Sequence, residues 1–81
     1  MRLEPFLPSE TLRGQCRVVI SGKERMLIEQ HRGLIGYARD RVIVRMEKGY
    51  MTVTGQDLTL DEYGEGDLLL SGNIRGMEFS G

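Results

Sequence analysis

The sequence predicts an all-β fold, a small sandwich or barrel of about eight short, mostly antiparallel strands. Apolar and polar residues alternate with a period of two in most segments, as in the run from Val42 to Arg45, which is typical of strands with one buried face. Glycine is frequent, with 11 in 81 residues, so many turns are expected. No window carries a helical apolar pattern that is uninterrupted by glycine.

The strands follow an internal repeat of about 16 residues that starts at Val18. Met26, Val42 and Leu58 lie 16 residues apart, and each repeat reads as two strands with a polar turn between them. A β-solenoid, with one coil per repeat, is the alternative architecture. The fourth repeat slips in register, because Met77 lies 19 residues beyond Leu58. Hairpins tolerate such a slip better than stacked coils do, which favours the sandwich or barrel.

The alternation assigns one face of each strand to a hydrophobic core. A register error of one residue would move the whole set to the solvent side. The predicted core residues are Val18, Ile20, Met26, Ile28, Val42, Val44, Met51, Val53, Leu58, Leu60, Leu68, Leu70, Met77 and Phe79.

Glycines mark the predicted turns and other structural positions of the backbone. Glu47-Lys48-Gly49 suits a three-residue hairpin loop with Gly49 at positive φ, between strands near 41–46 and 50–54. The segments around Gly22 and Gly55 have the composition of tight turns. The full set of predicted turn or structural glycines is Gly22, Gly33, Gly49, Gly55, Gly66 and Gly72.

The domain organisation is predicted to be an N-terminal tail, residues 1–14, followed by a single β-domain, residues 15–81. Pro5 and Pro8 restrict the backbone of the tail. Ser9 could cap a short helical turn that begins after Pro8.

Composition excludes several classes of protein. One cysteine, Cys16, excludes an intramolecular disulfide, and with a single histidine it leaves no ligand set for structural zinc. The longest apolar runs have three residues, whereas a membrane-spanning helix needs about 20. The N-terminus has no stretch that resembles a signal peptide. We therefore expect a cytoplasmic protein without a membrane span.

No catalytic, cofactor or metal site is expected from the sequence, and the protein is predicted not to be an enzyme. His31 is predicted to be a surface or turn residue. Cys16 reads as a small buried residue, and the adjacent Arg17 would lower its thiol pKa. The acidic stretch from Asp57 to Asp67 lacks the spacing of a calcium-binding EF-hand loop, so it is predicted to be a solvated loop.

Arginines are concentrated in one part of the chain and form the candidate partner-binding set. One interpretation is that they protect strand edges by charge; the other is that they form a docking surface for an acidic protein partner. Nucleic acid is an unlikely partner, because Tyr37 is the sole aromatic residue within the cluster and the net charge is −1. The six residues are Arg17, Arg25, Arg32, Arg39, Arg41 and Arg45.

Charge is also distributed unevenly along the chain. Residues 1–48 carry a balance of +4 and residues 49–81 a balance of −5. If the two segments form different surfaces, two copies attract each other, which predicts a homo-oligomer. If hairpins interleave the segments, the charges cancel within one molecule.

Several segments together resemble the YabP/YqfC family of bacterial sporulation proteins, and its YqfC branch in particular. The similarity runs from about residue 18 to residue 79 and rests on the order and spacing of strand and turn-glycine motifs. These are LIEQHRG at 27–33, GYMTVTGQDL at 49–58, LLLSGNI at 68–74 and MEF at 77–79.

The resemblance implies a non-enzymatic protein of endospore formation. It would act in the mother-cell cytoplasm as a structural or adaptor module of spore envelope or coat morphogenesis, through protein–protein contacts. Family members look like small β-domains, and the YqfC branch implies a sporulation membrane protein as partner. The family offers no catalytic residues to carry over. The runner-up function is a small nucleic-acid-binding β-barrel that uses the arginine cluster.

Overall fold

Seven β-strands make up most of the chain in the computed structural model, which describes residues 9–13 and 16–80. No helix occurs within these residues, and the predicted all-β fold class is confirmed. The strands are β1 (Ser9–Arg13), β2 (Cys16–Ser21), β3 (Arg25–Glu29), β4 (Gly33–Ala38), β5 (Arg41–Arg45), β6 (Tyr50–Tyr63) and β7 (Asp67–Ser80).

The strands form one antiparallel sheet in the order β1-β2-β3-β7-β6-β5-β4. Strands that follow each other in sequence are neighbours, except that β3 pairs with β7 rather than with β4. The sheet is open, because its outer strands β1 and β4 do not pair with each other. Neighbouring strands run antiparallel instead of stacking as successive coils, so the β-solenoid alternative is wrong.

Strands β6 and β7 are long and bent, with 14 residues each. The sequence placed a tight turn at Gly55, and that prediction is wrong: Gly55 lies inside β6. Bulges after Thr54, Gln56 and Leu60 shift the register with β7 and bend the ribbon without ending it. The structure therefore has seven strands where about eight short ones were predicted.

The bend divides the sheet into two half-sheets that enclose one core. In the first, which we call the β3 half-sheet, β1, β2 and β3 continue through residues 67–71 of β7 to residues 59–63 of β6. In the second, the β5 half-sheet, β4 and β5 continue through residues 50–54 of β6 to residues 76–80 of β7. Buried side chains from both half-sheets form a single cluster, so the arrangement resembles a small sandwich.

The predicted core face is confirmed for every strand to which it was assigned. Ten of the predicted residues are buried, and Ile20, Leu60, Met77 and Phe79 are partly buried against them. The sequence-based list omitted Met46 and Ile74, which are also buried. The buried apolar set is Cys16, Val18, Met26, Ile28, Val42, Val44, Met46, Met51, Val53, Leu58, Leu68, Leu70 and Ile74.

The 16-residue repeat has a structural counterpart in how two hairpin turns contact the bent strands. In the β2–β3 turn, the carbonyl oxygens of Lys23 and Glu24 accept hydrogen bonds from the N–H groups of Ile74 and Gly72. The β4–β5 turn repeats the contact 16 residues later. There the carbonyl oxygens of Arg39 and Asp40 accept from the N–H groups of Leu58 and Gly55, at 2.8 and 3.1 Å. Each hairpin turn thus holds one bend in place.

The edge of β4 is joined to β6 at both ends of a seam. The N–H of Leu58 donates to the carbonyl of Arg39, and the N–H of His31 donates to the carbonyl of Gly66, at 2.8 and 3.0 Å. The two bonds are eight residues apart along each segment, which is one common antiparallel register. Between them β4 pairs with β5 alone among the described strands. The seam therefore limits access to the β4 edge without closing the sheet into a barrel.

The six predicted glycines occupy three kinds of backbone position. Gly22, Gly33, Gly49 and Gly72 have positive φ. Gly55 lies at a bulge inside β6, and Gly66 lies in the bend that leads into β7. The prediction for Gly49 is confirmed: its φ is 87°, in the connection between β5 and β6.

Gly49→Val is expected to destabilise the fold by about 1–3 kcal/mol, because a β-branched residue is strained at positive φ. The free energy of unfolding from urea denaturation measures the effect. Gly66→Val is a suitable control, since Gly66 has no positive φ and an added Cβ meets nothing within 4 Å. Equal denaturation midpoints for the two variants would contradict the expectation.

The N-terminal residues that the structure describes belong to the sheet. β1 pairs with β2 from Ser9 opposite Ile20 to Arg13 opposite Cys16, so the helical turn with Ser9 as its cap is wrong. Residues 1–8, 14, 15 and 81 lie outside the described residues. The division of the chain into a tail, 1–14, and a domain, 15–81, stays a prediction.

Candidate protein-docking surface

All six arginines of the candidate set are exposed, but they lie in two separate groups. Arg17 and Arg25 belong to β2 and β3, and the Arg17 guanidinium pairs with the Glu29 carboxylate at 3.2 Å. The second group is formed by Arg32, Arg39, Arg41 and Arg45, on β5 and the connections around β4. The structure thus does not gather the predicted set into a single surface.

The second group includes a regular array on the outer face of β5. Val42 and Val44 point into the core, so the alternation turns Arg41, Ile43 and Arg45 outward. Tyr50 of β6 lies directly opposite Arg45 and is 43% exposed. We call Arg41, Ile43, Arg45 and Tyr50 the basic face.

A shallow groove continues the basic face toward the β4 edge. Its volume is about 270 Å³, and its lining includes Gly36, Tyr37, Arg41 and Ile43. Gly36 lies opposite Ile43 and leaves open space where a side chain would stand. Tyr37 is 46% exposed, and its hydroxyl donates to the carbonyl of Leu58 at 2.8 Å, which fixes the ring.

This combination suits contact with another protein. Arginine guanidinium groups bind carboxylates in a bidentate geometry, while Ile43, Tyr37 and Tyr50 offer apolar and aromatic area of the kind found at interface centres. Because β5 is held between β4 and β6, the two outward arginines are displayed at a fixed spacing. A segment with carboxylates beside an apolar residue would complement the face.

His31 is buried, which overturns its assignment to the surface; only 5% of it is exposed. Its Nδ1 accepts a hydrogen bond from the N–H of Gly33 at 2.9 Å, and its ring stacks on Tyr63 with 5.6 Å between centroids. Nε2 has no hydrogen-bond partner among the described residues. The ring thus links the β3–β4 connection to the end of β6. No local signal predicts this, because Tyr63 lies 32 residues away in sequence.

Cys16 is buried, as the sequence indicated, and 1% of it is exposed. Burial raises the pKa of its thiol, which overturns the expectation that Arg17 lowers it: desolvation penalises the thiolate. The thiol is therefore neutral near pH 7 and unsuited to act as a nucleophile.

We expect folded protein to react with a thiol reagent such as DTNB far more slowly than unfolded protein, because Cys16 is inaccessible until the chain opens. Stability is also expected to depend on pH. The folded state holds the thiol proton more tightly, so the contribution of Cys16 is complete below about pH 8.5 and is lost as pH rises through the higher folded-state pKa. Urea denaturation from pH 7 to 10, with Cys16→Ala as control, measures this. A constant difference in stability between the two proteins would contradict it.

The acidic stretch is placed differently from its prediction. Asp57, Asp61 and Glu62 belong to strand β6, with only Glu65 in the bend before β7, so the assignment to a loop is wrong. The side chains are exposed as predicted, and Asp61 accepts a hydrogen bond from Ser71 at 3.1 Å. The described residues contain no group of three or more His, Cys, Asp or Glu side chains that could hold a metal ion.

Comparison with known proteins identifies the family. The sequence model of the YabP family matches residues 13–81, which is most of the chain. The chain belongs to the YabP family. Membership indicates a sporulation-related protein and confirms the resemblance at family level, while the YqfC branch stays a prediction.

Two further observations complete the comparison of this YabP-family protein. No curated protein and no solved structure matched the chain. Among the described residues, no helix has the length and apolar character needed to cross a membrane.

Proposed function

We propose that this YabP-family protein is a non-enzymatic adaptor of endospore formation that binds another protein through its basic face. It would act in the mother-cell cytoplasm, in assembly of the spore envelope or coat. The observation that carries the proposal is the outward display of Arg41, Ile43 and Arg45 on a strand whose alternate residues are buried.

The partner is proposed to present an acidic segment with an apolar residue between its carboxylates. Such a segment would place carboxylates on Arg41 and Arg45 and its apolar residue on Ile43. A segment of a sporulation membrane protein that faces the cytoplasm is the source we favour, in line with the resemblance to the YqfC branch. Long-range attraction by exposed arginines would speed association at low salt.

Nucleic acid fits the same face less well. Tyr50 beside Arg45 could stack on a base, but Glu78 is exposed on the same side, in the row that passes through Ile43 and Thr52. A carboxylate in this position repels a phosphate backbone. The overall charge of −1 also gives no general attraction to nucleic acid.

Photo-crosslinking in cells of a sporulating bacterium that makes the protein tests the proposal. A photoreactive amino acid at position 43 is expected to form a protein adduct during sporulation, and the same group at position 75 is not. Arg41→Glu combined with Arg45→Glu is expected to remove the adduct and to lower the yield of heat-resistant spores.

Arg75→Glu is the matched control, since Arg75 is an exposed arginine on β7 that contacts Gln56 at 2.9 Å. Circular dichroism of each variant confirms folding. Adducts with nucleic acid, or a normal spore yield with both basic-face arginines reversed, would overturn the proposed adaptor function.

A further inference from the structure

The outer face of the β3 half-sheet carries a continuous row of apolar side chains. Val19 lies opposite Leu27, and Leu27 lies opposite Leu69, so the row crosses β2, β3 and β7. The flanking residues Ile28 and Leu68 are buried in the core, which places the row on the opposite face of the sheet. All three row residues are partly exposed. An outer face of an antiparallel sheet is usually polar, so this apolar row requires an explanation.

Opposite charges flank the apolar row. On one side, Lys23 and Arg25 line a cavity of about 550 Å³. On the other side, Asp67 lines a cavity of about 260 Å³ together with Glu62, which lies opposite Leu69 at the end of the row. Arg25 and Asp67 each stand two residues from the row, on its two sides.

We propose that the chain forms a twofold homodimer in which the apolar rows of two copies pack against each other. A twofold axis normal to the sheet near Leu27 exchanges the two flanks. Arg25 and Lys23 of one copy then face Asp67 and Glu62 of the second copy, and the same contacts occur in reverse, as an isologous interface requires.

The charge pattern selects a second copy rather than a different partner. A purely basic or purely acidic partner would meet charge of its own sign on one flank of the row. A copy rotated by a twofold axis meets opposite charge on both flanks. Glu29 does not disturb this balance, because its carboxylate is already paired with Arg17.

The size of the face predicts a weak dimer. Four strands about 4.8 Å apart and five residues of about 3.3 Å give a face of roughly 16 by 19 Å per copy. That lies at the low end of specific interfaces, so we expect a dissociation constant on the order of micromolar. The dimer is independent of the adaptor role, because the basic face lies on the other half-sheet.

Analytical ultracentrifugation of the full chain across protein concentrations tests the dimer. Leu27→Asp is expected to weaken association by at least about tenfold, because it puts a charge at the centre of the apolar contact. Ile43→Asp is the control: Ile43 is also a partly exposed, outward apolar residue, but it lies on the β5 half-sheet. It is expected to leave association unchanged.

Charge exchange gives a second, independent test. Arg25→Glu and Asp67→Arg are each expected to weaken the dimer several-fold, since exposed ion pairs contribute little individually. The double variant, Arg25→Glu with Asp67→Arg, is expected to restore it, because the twofold axis pairs the exchanged charges again. A monomer at every concentration, or a double variant no tighter than the single ones, would overturn the proposal.

Discussion

Gly55→Ala is expected to cost about 2–4 kcal/mol of folding free energy, because its Cβ would overlap the backbone of β7. An added Cβ would collide with the carbonyl oxygen of Asn73 and press on the side chain of Leu58 at 3.0 Å. Gly72→Ala is expected to cost a similar amount. Its φ is +125°, and its Cβ would lie 2.5 Å from the carbonyl oxygen of Asp57. In both cases the obstacle is backbone, which cannot move aside as a side-chain end can.

Gly36→Ala is the matched control for these two substitutions. Gly36 is also a strand glycine at a bulge, but an added Cβ there meets nothing within 4 Å and φ is not positive. We expect its change in stability to stay within about 0.5 kcal/mol. Urea denaturation of the three variants measures the difference. Equal midpoints for Gly55→Ala and Gly36→Ala would show that β6 and β7 do not approach each other at the bend.

Ile28→Ala is expected to destabilise the protein by about 2–5 kcal/mol, through lost burial and the cavity left behind. Ile28 is 0% exposed and lies between Val18 and Leu68 on the core face of β3. The same deletion at Ile43, on the outer face of β5, is expected to cost less than about 1 kcal/mol. Thermal and urea unfolding of both variants compare the two positions. A larger effect at Ile43 would mean that the core face is assigned wrongly.

The sequence was sufficient to predict the buried face of each strand. Burial follows directly from alternation, since the side-chain period of a strand is two. Val42 and Val44 on either side of Ile43 illustrate this. Gly49 was equally predictable, because a three-residue hairpin loop needs a residue at positive φ.

The path of β6 could not be predicted from local sequence. Thr54-Gly55-Gln56 has the same composition whether the chain turns back or continues through a bulge. Pairing decides between the two: β7 continues beside Gly55, and the β4–β5 turn supplies a carbonyl to the N–H of Gly55. Both partners are far from Gly55 in sequence or depend on other turns.

The candidate surface was predictable in composition but not in arrangement. Exposure of all six arginines follows from their charge. Their division into two groups does not, because it depends on β3 pairing with β7 while β5 pairs with β6. That pairing carries Arg25 to one half-sheet and Arg41 to the other. The apolar row shows the same limit, since Val19, Leu27 and Leu69 become neighbours only through tertiary register.

The pairing of β3 with β7 also has a consequence for how fast the chain folds. Every other pair of neighbouring strands joins segments that follow each other directly in sequence, so two meanders, β1–β3 and β4–β7, can each form locally. Only the β3–β7 ladder joins residues 38 to 46 positions apart. Closing that long loop costs chain entropy before any contact compensates for it. Docking of the two meanders is therefore expected to limit the folding rate, so substitutions along β3 and the first half of β7 would slow folding most.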